Sequence, residues 1–422
     1  KDLFMKKNHY ILALDQGTSS TRAIIFELTK NKHKVLAQAG IPFKQHYPKQ
    51  DWVEHDLEEI WDSCLKAIKK AITLCEEKET TFKANHIKAL ALTNQRETLC
   101  VFSKKNGKPL HPAIVWQCKR SINICEDLKK EKNLEEQIRK KTGLFLDPYF
   151  TGTKLKWLMT EKESIKKKIV SGEAFIGTID TYLLYRLTNA KSFFTEPSNA
   201  SRTLLYNIKE KKWDDELLKI MGDIPITALP EILDSDALFG QTQNLQELPD
   251  GIPIHGILGD QQAALFGQKC FDYGESKCTY GTGAFFLMQT KEKCLENQSG
   301  LLTTVAWQIK GELSYALEGS CFITGAAVSF LRDNFEIIDH VNKTELKNKV
   351  EASPHLYFVP SLCGLGAPWW RAEVKGAFLG LTRSTSKEQM IQACLEGICF
   401  QVEDLISVFR KEASLDLKKL SV

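Results

Sequence analysis

The chain has 422 residues, of which 43% are hydrophobic and 26% charged, and its 57 basic against 53 acidic side chains leave a formal net charge of +4. That length exceeds what one hydrophobic core usually supports, so two domains are expected, and a charge this balanced excludes a surface built for nucleic acid or an anionic membrane. No apolar stretch approaches the roughly 20 residues that cross a bilayer, and no secretory signal opens the chain. The 12 cysteines, set in apolar runs as at Cys64, Cys321 and Cys399, show no zinc spacing among themselves or with the nine histidines. They read as reduced core thiols of a cytoplasmic protein.

Residues 11–26 (ILALDQGTSSTRAIIF) are an apolar, β-rich run broken by glycine and small hydroxyl residues and then resumed, the pattern of a hairpin. Its turn brings backbone N–H groups and hydroxyls within reach of an anion, since glycine lacks the Cβ that would hold a phosphate away. Asp15 adds a carboxylate suited to Mg²⁺ carried on that phosphate. A helix is predicted from Asp56, with Glu59 completing a capping box and Leu57, Ile60, Trp61, Leu65, Ile68 and Ile72 forming one apolar stripe. Residues 87–93 (IKALALT) read as a buried strand with residues 94–98 at its carboxyl end. There, adjacent Arg96 and Glu97 offer five donors and a two-oxygen acceptor that can grip neighbouring hydroxyls of a polyol; a surface ion pair of little consequence is the competing reading. Trp116 in AIVWQ and Tyr149 in DPYF either wall a small pocket or pack in a core. Helices are expected near 122–130, 153–161 and 180–187, and the lysine clusters at 129–132 and 166–168 read as solvated helix faces.

The turn LPDG at 248–251 precedes a buried strand over 252–258, and GDQQ at 259–262 then opens a helix through Gln268. Asp260 thus stands at the carboxyl end of a strand, where open α/β sheets place ligands. It is positioned either to take the proton of an attacking hydroxyl during phosphoryl transfer or to cap the helix. The domain boundary falls near Gly267, giving domains 1–267 and 268–422. Just beyond it, residues 277–288 (KCTYGTGAFFLM) repeat the hairpin pattern. Two such hairpins, each opening one half of the chain, point to two domains closing on a nucleotide. Gly325 in ITGAAVSF and the GLGAP run at 364–368 mark close backbone approach, to a ligand or to a packed helix. A long helix is predicted from Ser386, capped by Ser386 and Gln389, to about Lys411. Residues 415–422 (LDLKKLSV) read as a strand with nothing following to cover it, so the second domain looks incomplete. The alternation of strands and helices argues α/β domains throughout.

In this order the segments ALDQGTSSTRA, TNQRET, AIVWQCKR, TGLFLDPYFTGTKLKWLM, GTIDTYLLYRLT, NASRTLLYNI, GILGDQQAALFGQ, TYGTGAFFLM, YALEGS and GLGAPWW resemble the glycerol kinases, from about Tyr10 to Val422. These form part of the carbohydrate-kinase family with the ribonuclease H-like fold of actin, Hsp70 and hexokinase. The resemblance implies two actin/hexokinase-like domains with a nucleotide cleft between them, and Mg-ATP-dependent phosphorylation of glycerol to sn-glycerol 3-phosphate. It implies Asp260 as catalytic base, and Arg96, Glu97, Trp116, Tyr149, Gln261 and Phe285 around glycerol. It further implies Asp15 near Mg²⁺, and Thr18, Ser19, Ser20, Arg22, Thr282, Gly325 and Ser329 around ATP or ADP, in a homodimer or homotetramer that engages neither nucleic acid nor membrane. Ser329 departs from the family's usual Gln beside the nucleotide, and residues 248–255 lack the Arg with which some bacterial members bind a sugar-bisphosphate inhibitor. Val422 precedes the Asp-Gly-Gly turn of the adenosine site, as a shortened piece would, and Met5 aligns with the family's usual start, making Lys1–Phe4 an upstream extension. A kinase of another polyol or ketose, and a catalytically impaired fragment with a binding or regulatory role, are the alternatives. An actin-like filament former would leave the polyol segments without purpose.

Overall fold

The computed structural model describes residues 9–29, 32–296, 299–338, 355–412 and 419–422. The chain divides into two compact units, Lys1–Ala263 with Thr304–Ser314, and Ala264–Thr303 with Tyr315–Val422. The predicted extension Lys1–Phe4, the Met5 start and residues 415–418 of the predicted last strand lie outside the described residues.

The first unit is organised on a six-stranded sheet in the order Leu238–Gln241, Pro253–Gly259, Ile87–Asn94, β1 (His9–Gln16), β2 (Ser20–Thr29), β3 (Lys32–Pro42). The predicted hairpin is β1–β2, antiparallel with Asp15 opposite Arg22. On its other side β1 runs parallel to Ile87–Asn94, with Asp15 beside Thr93. Period-two alternation puts Tyr10, Leu12 and Leu14 on one face, all buried, and leaves Ile11, Ala13 and Asp15 half-buried on the other. Helix α1 (Leu57–Lys78) covers the first face with Leu57, Ile60, Trp61, Cys64, Ala67, Ile68, Ala71 and Ile72, joined by Tyr182, Leu183 and Leu184 from the helix Ile179–Leu187. Leu65, predicted in that stripe, is half-buried at its margin.

Asp56 does cap α1, but through the Glu58 amide at 2.8 Å. The expected capping box with Glu59 does not form. The Glu59 carboxylate instead accepts the Lys44 amide at 3.3 Å, drawn off by the chain leaving β3. A second, four-stranded sheet (Glu54–His55, Pro109–Ile114, Leu99–Ser103, Ala174–Gly177) lies next in the unit. Residues 95–98 are the short link between the two sheets. The lysines at 129–132 and 166–168 are exposed.

In the second unit the repeated hairpin is Glu275–Tyr280 with Ala284–Lys291. Ala284–Lys291 pairs onward with Glu312–Cys321, and Lys419–Ser421, the described part of the predicted last strand, runs parallel to Glu275–Tyr280. The long helix Lys387–Glu412 packs Val402, Leu405 and Phe409 on Phe286 and Met288. It starts with the predicted reciprocal cap: the Gln389 amide donates to Ser386 Oγ at 3.2 Å and the Ser386 amide to Gln389 Oε1 at 3.0 Å.

Leu12 is fully buried in the strand on which the first sheet is built. Leu12→Ala is expected to lower the first unit's unfolding free energy by about 2–5 kcal/mol in urea titrations, against less than about 0.5 kcal/mol for exposed Lys130→Ala.

Candidate functional site

The link between the two sheets carries the charges. Arg96 and Glu97 are each only 2% exposed, so the surface ion pair allowed by the sequence is not what forms. Arg96 Nε lies 3.8 Å from Glu97 Oε1 and 3.5 Å from Asp260 Oδ1, and its Nη1 donates to Gln262 Oε1 at 3.1 Å. Asp260 opens the helix Asp260–Gly267 directly after the strand Pro253–Gly259. Its Oδ1 accepts the adjacent Gln261 amide at 2.7 Å, and its side chain keeps 31% of its surface accessible. Gly259 makes the approach feasible, because a Cβ there would stand 2.7 Å from Arg96 Cδ. Gln261 is buried beside them.

Glu97 adopts a left-handed backbone, φ 60°, unusual for a residue with a side chain. Thr151 Oγ1 donates to its carbonyl at 2.9 Å, and Arg202 Nε donates to its Oε1 at 2.6 Å. Arg202 is fully buried, with its guanidinium carbon 5.8 Å from the Tyr149 ring centre and 5.3 Å from that of Phe150. Sequence reasoning singled out neither Arg202 nor Gln262. The only signal for Arg202 was its place in NASRTLLYNI, 105 residues from the carboxylate it meets.

Trp116 and Tyr149 meet edge to face, ring centres 5.7 Å apart at 89°, as a corner of two buried rings. Tyr149 is pinned through its backbone, its amide donating to Asp147 Oδ1 at 2.8 Å and its carbonyl accepting from Lys154 Nζ. Both of those charged groups are fully enclosed. Burial holds the Lys154 ammonium down at about 8, with Glu97 and Asp147 among the charges opposing that shift, and pushes the Asp147 carboxyl up. The Trp116 indole donates to Thr18 Oγ1 at 3.0 Å, joining the corner to the turn of the first hairpin.

That turn closes with the Gly17 amide on the Ser20 carbonyl at 3.0 Å. Gln95 fastens it to the link: its amide donates to the Gln16 carbonyl at 2.7 Å and its side chain to the Gly17 carbonyl at 3.0 Å. Ser19 is exposed and Ser20 half-buried. Burial is the larger influence on Asp15 and raises its carboxyl above the ordinary range, while Arg22 across the ladder opposes the shift.

In the second unit Thr282 is exposed, and its carbonyl accepts the amides of Thr324 at 2.9 Å and Ala326 at 3.1 Å. A Cβ on Gly325 would lie 2.4 Å from the Gly281 carbonyl, so close packing of the helix Gly325–Asp333 on the turn suffices to require glycine there. A Cβ on Gly281 would meet nothing nearer than Gly283 O at 4.0 Å. Ser329 is half-buried on the same helix, and Phe285 is buried on Ala284–Lys291 opposite Thr279 and Ser320.

A further buried network lies behind Asp260. Glu196 caps the short helix Pro197–Ala200, accepting the amides of Ser198 and Asn199, and Ser235 Oγ donates to it at 2.7 Å. Ser198 Oγ in turn accepts the Gly259 amide at 2.9 Å. Burial pushes the Glu196 carboxyl from 4.5 up to about 7, the hydrogen bonds offsetting only part of the cost.

Residues 10–267 match the model of the N-terminal domain of the FGGY family of carbohydrate kinases, and residues 276–422 that of the C-terminal domain. The chain is 45% identical to glycerol kinase of Oceanobacillus iheyensis and 47% identical to glycerol kinase 2 of Thermotoga maritima. Each match covers 98% of this chain and 81% of the relative. The crystal structure of Plasmodium falciparum glycerol kinase with ADP superposes with a TM-score of 0.84 at 34% identity, covering 98% of this chain and 82% of that one. A ligand-bound xylulose kinase from Lactobacillus acidophilus shares the fold at 23% identity, with a TM-score of 0.79 over 94% of this chain and 78% of its own.

The Glu196 shift has a measurable sign. The folded chain keeps a proton that the unfolded chain releases, so the stabilisation is complete below about 4.5 and is lost as pH rises through about 7. Between these limits wild type should lose on the order of 3 kcal/mol of first-unit stability from this group, and Glu196→Gln should flatten that slope. Urea unfolding of both proteins at pH 4.5 and 7.5 checks it; identical slopes would remove Glu196 as the source.

Proposed function

Because the chain belongs to the FGGY family of carbohydrate kinases, we propose that it transfers the γ-phosphoryl group of ATP to glycerol, giving sn-glycerol 3-phosphate. The observation that carries this reading is the partly accessible Asp260 carboxylate held beside the buried Arg96–Glu97 pair. Names of relatives with which it shares almost half its residues support the choice of glycerol. Asp260 takes the proton of the attacking hydroxyl as that oxygen forms its bond to phosphorus and the bond to the ADP oxygen breaks. Arg96 donates to one substrate hydroxyl oxygen, and Glu97 accepts a hydrogen bond from a hydroxyl. The right-angled Trp116–Tyr149 corner lines the three-carbon chain together with Gln261.

On the nucleotide side, Thr18, Ser19, Ser20 and Arg22 of the first hairpin and Thr282 of the second bind phosphate oxygens through hydroxyls, amides and a guanidinium. Gly325 and Ser329 serve the remainder of the nucleotide. The space a Cβ on Gly281 would fill supports phosphate contact at that turn. Asp15 fits Mg²⁺ that arrives on phosphate: among the described residues no three His, Cys, Asp or Glu side chains gather into a protein cage, and Mg²⁺ bound largely through phosphate and water needs only one or two carboxylates. When bound, Mg²⁺ neutralises charge on the phosphate oxygens.

The same reading takes 1–267 as an N-terminal carbohydrate-kinase domain carrying the glycerol residues and the first phosphate hairpin, and 268–422 as a C-terminal one carrying the second hairpin, and extends to assembly as a dimer or tetramer. Buried thiols such as Cys64, Cys100 and Cys321, raised by desolvation, support a reducing cytoplasm. No described helix is long and apolar enough to cross a membrane.

Glycerol-dependent ADP release tests the function, and faster turnover of a pentulose than of glycerol would overturn the choice of substrate. Asp260→Asn should lower turnover by about 10²–10⁴, the usual contribution of a general base; near-normal turnover takes Asp260 out of that role. Chelation by EDTA should abolish ADP release and added Mg²⁺ restore it, with Asp15→Asn requiring more Mg²⁺ for half-maximal rate.

A further inference from the structure

Glu97 is held more tightly than an ion pair requires. Its backbone sits in the left-handed region, where a side chain crowds its own carbonyl, and such a conformation persists only when its surroundings enforce it. Two side chains from distant parts of the first unit meet it there. Thr151, first residue of the helix Thr151–Glu161, donates its hydroxyl to the Glu97 carbonyl at 2.9 Å. Arg202 donates Nε to Oε1 at 2.6 Å, and Arg96, at 3.8 Å, lies against that same oxygen. The two holders are fitted to each other. Gly152 follows Thr151, and a Cβ on it would stand 2.7 Å from the Thr203 carbonyl, so the glycine lets the start of the helix lie against the Arg202–Thr203 backbone. The Arg202 guanidinium also lies near the Tyr149 and Phe150 rings, its carbon 5.8 and 5.3 Å from their centres.

We propose that Arg202 and Thr151 are positioning residues that clamp Glu97 with Oε1 occupied, so that Oε2 is presented to one hydroxyl of the polyol. This rests on the reading of Glu97 as a polyol contact. The clamp sets affinity and hydroxyl selection, and takes no part in the phosphoryl transfer. A charge-assisted hydrogen bond formed equally before and during reaction appears in KM and leaves kcat alone. Arginine is required because lysine supplies a single point charge, without the planar fork that donates through Nε to Oε1 while lying near both rings.

The test is steady-state ADP release with glycerol for Thr151→Val, Thr151→Ser, Arg202→Lys, Glu97→Gln and the double variants, each first shown to melt cooperatively. Thr151→Val and Arg202→Lys should raise the glycerol KM about 10–100-fold, the range of one charge-assisted hydrogen bond, with kcat within about threefold of wild type. Thr151→Ser, which keeps the hydroxyl, should recover most of the affinity. Adding either change to Glu97→Gln should raise KM little further, since both act through the residue already altered. If Arg202→Lys does not fold, Thr151→Val decides. A wild-type KM in folded Thr151→Val, or penalties that multiply in the double variants, overturns the clamp. Failure of the wild type itself to phosphorylate glycerol overturns instead the functional reading on which the clamp rests.

Discussion

Charge burial is the constraint around which the first unit is arranged. Moving an ion out of water costs several kcal/mol, and only paired and hydrogen-bonded charges stay inside. Arg96, Glu97, Arg202, Lys154 and Asp147 are all enclosed, and each has a partner, Arg202 reaching Glu97 from 105 residues away. The arginines meet Glu97, while Lys154 and Asp147 take the carbonyl and amide of Tyr149. Removing one member of such a set strands the others, typically at 3–5 kcal/mol or about that. The polar centre thereby ties together the link at 95–98, the Thr151–Glu161 helix and the Arg202 segment, none of which shares a strand or helix with another.

The location follows from topology. The strand Ile87–Asn94 belongs to one sheet and Leu99–Ser103 to the other, and the chain must turn between them. A turn at the carboxyl end of a strand frees side chains from the ladder and points them beyond the sheet. The parallel neighbour Pro253–Gly259 ends at the same level, with Gly259 opposite Asn94, so Asp260 emerges beside Arg96 without any loop between. Gln95 then fastens the turn of β1–β2 to the same place. Three chain segments distant in sequence converge because three neighbouring strands stop together.

The parts legible beforehand were those with a local cause. The glycine-broken apolar runs of the two hairpins, the 3.6-residue stripe of α1 and the Ser386–Gln389 cap each depend on residues within a few positions of one another. Asp260 and the Arg96–Glu97 pair were visible as unusual polar groups at strand ends, although whether the pair faced water or protein was open. Arg202, Lys154 and Glu196 were not visible, since an arginine, a lysine or a glutamate in a helix-like run has no local mark of burial. Arg202 acquires its role only when segments 105 residues apart are packed together, and the Lys154 and Glu196 side chains are enclosed only once the unit has folded around them. The capping box at Asp56 was misread for the same reason, a local rule outcompeted by the distant amide of Lys44.

The hydrogen bond from Trp116 to Thr18 means that the aromatic corner and the anion-facing turn of the first hairpin share one tether. Each group can relax only if the other moves. On the proposed function this is a coupling free energy between the polyol wall and the phosphate-binding turn, and coupling of that kind is reciprocal. Whatever orders the turn around Thr18 also orders the wall at Trp116, and a polyol seated against that wall stiffens the turn in return. Cooperation between the two would then rest on a single indole N–H rather than on any large rearrangement of the unit.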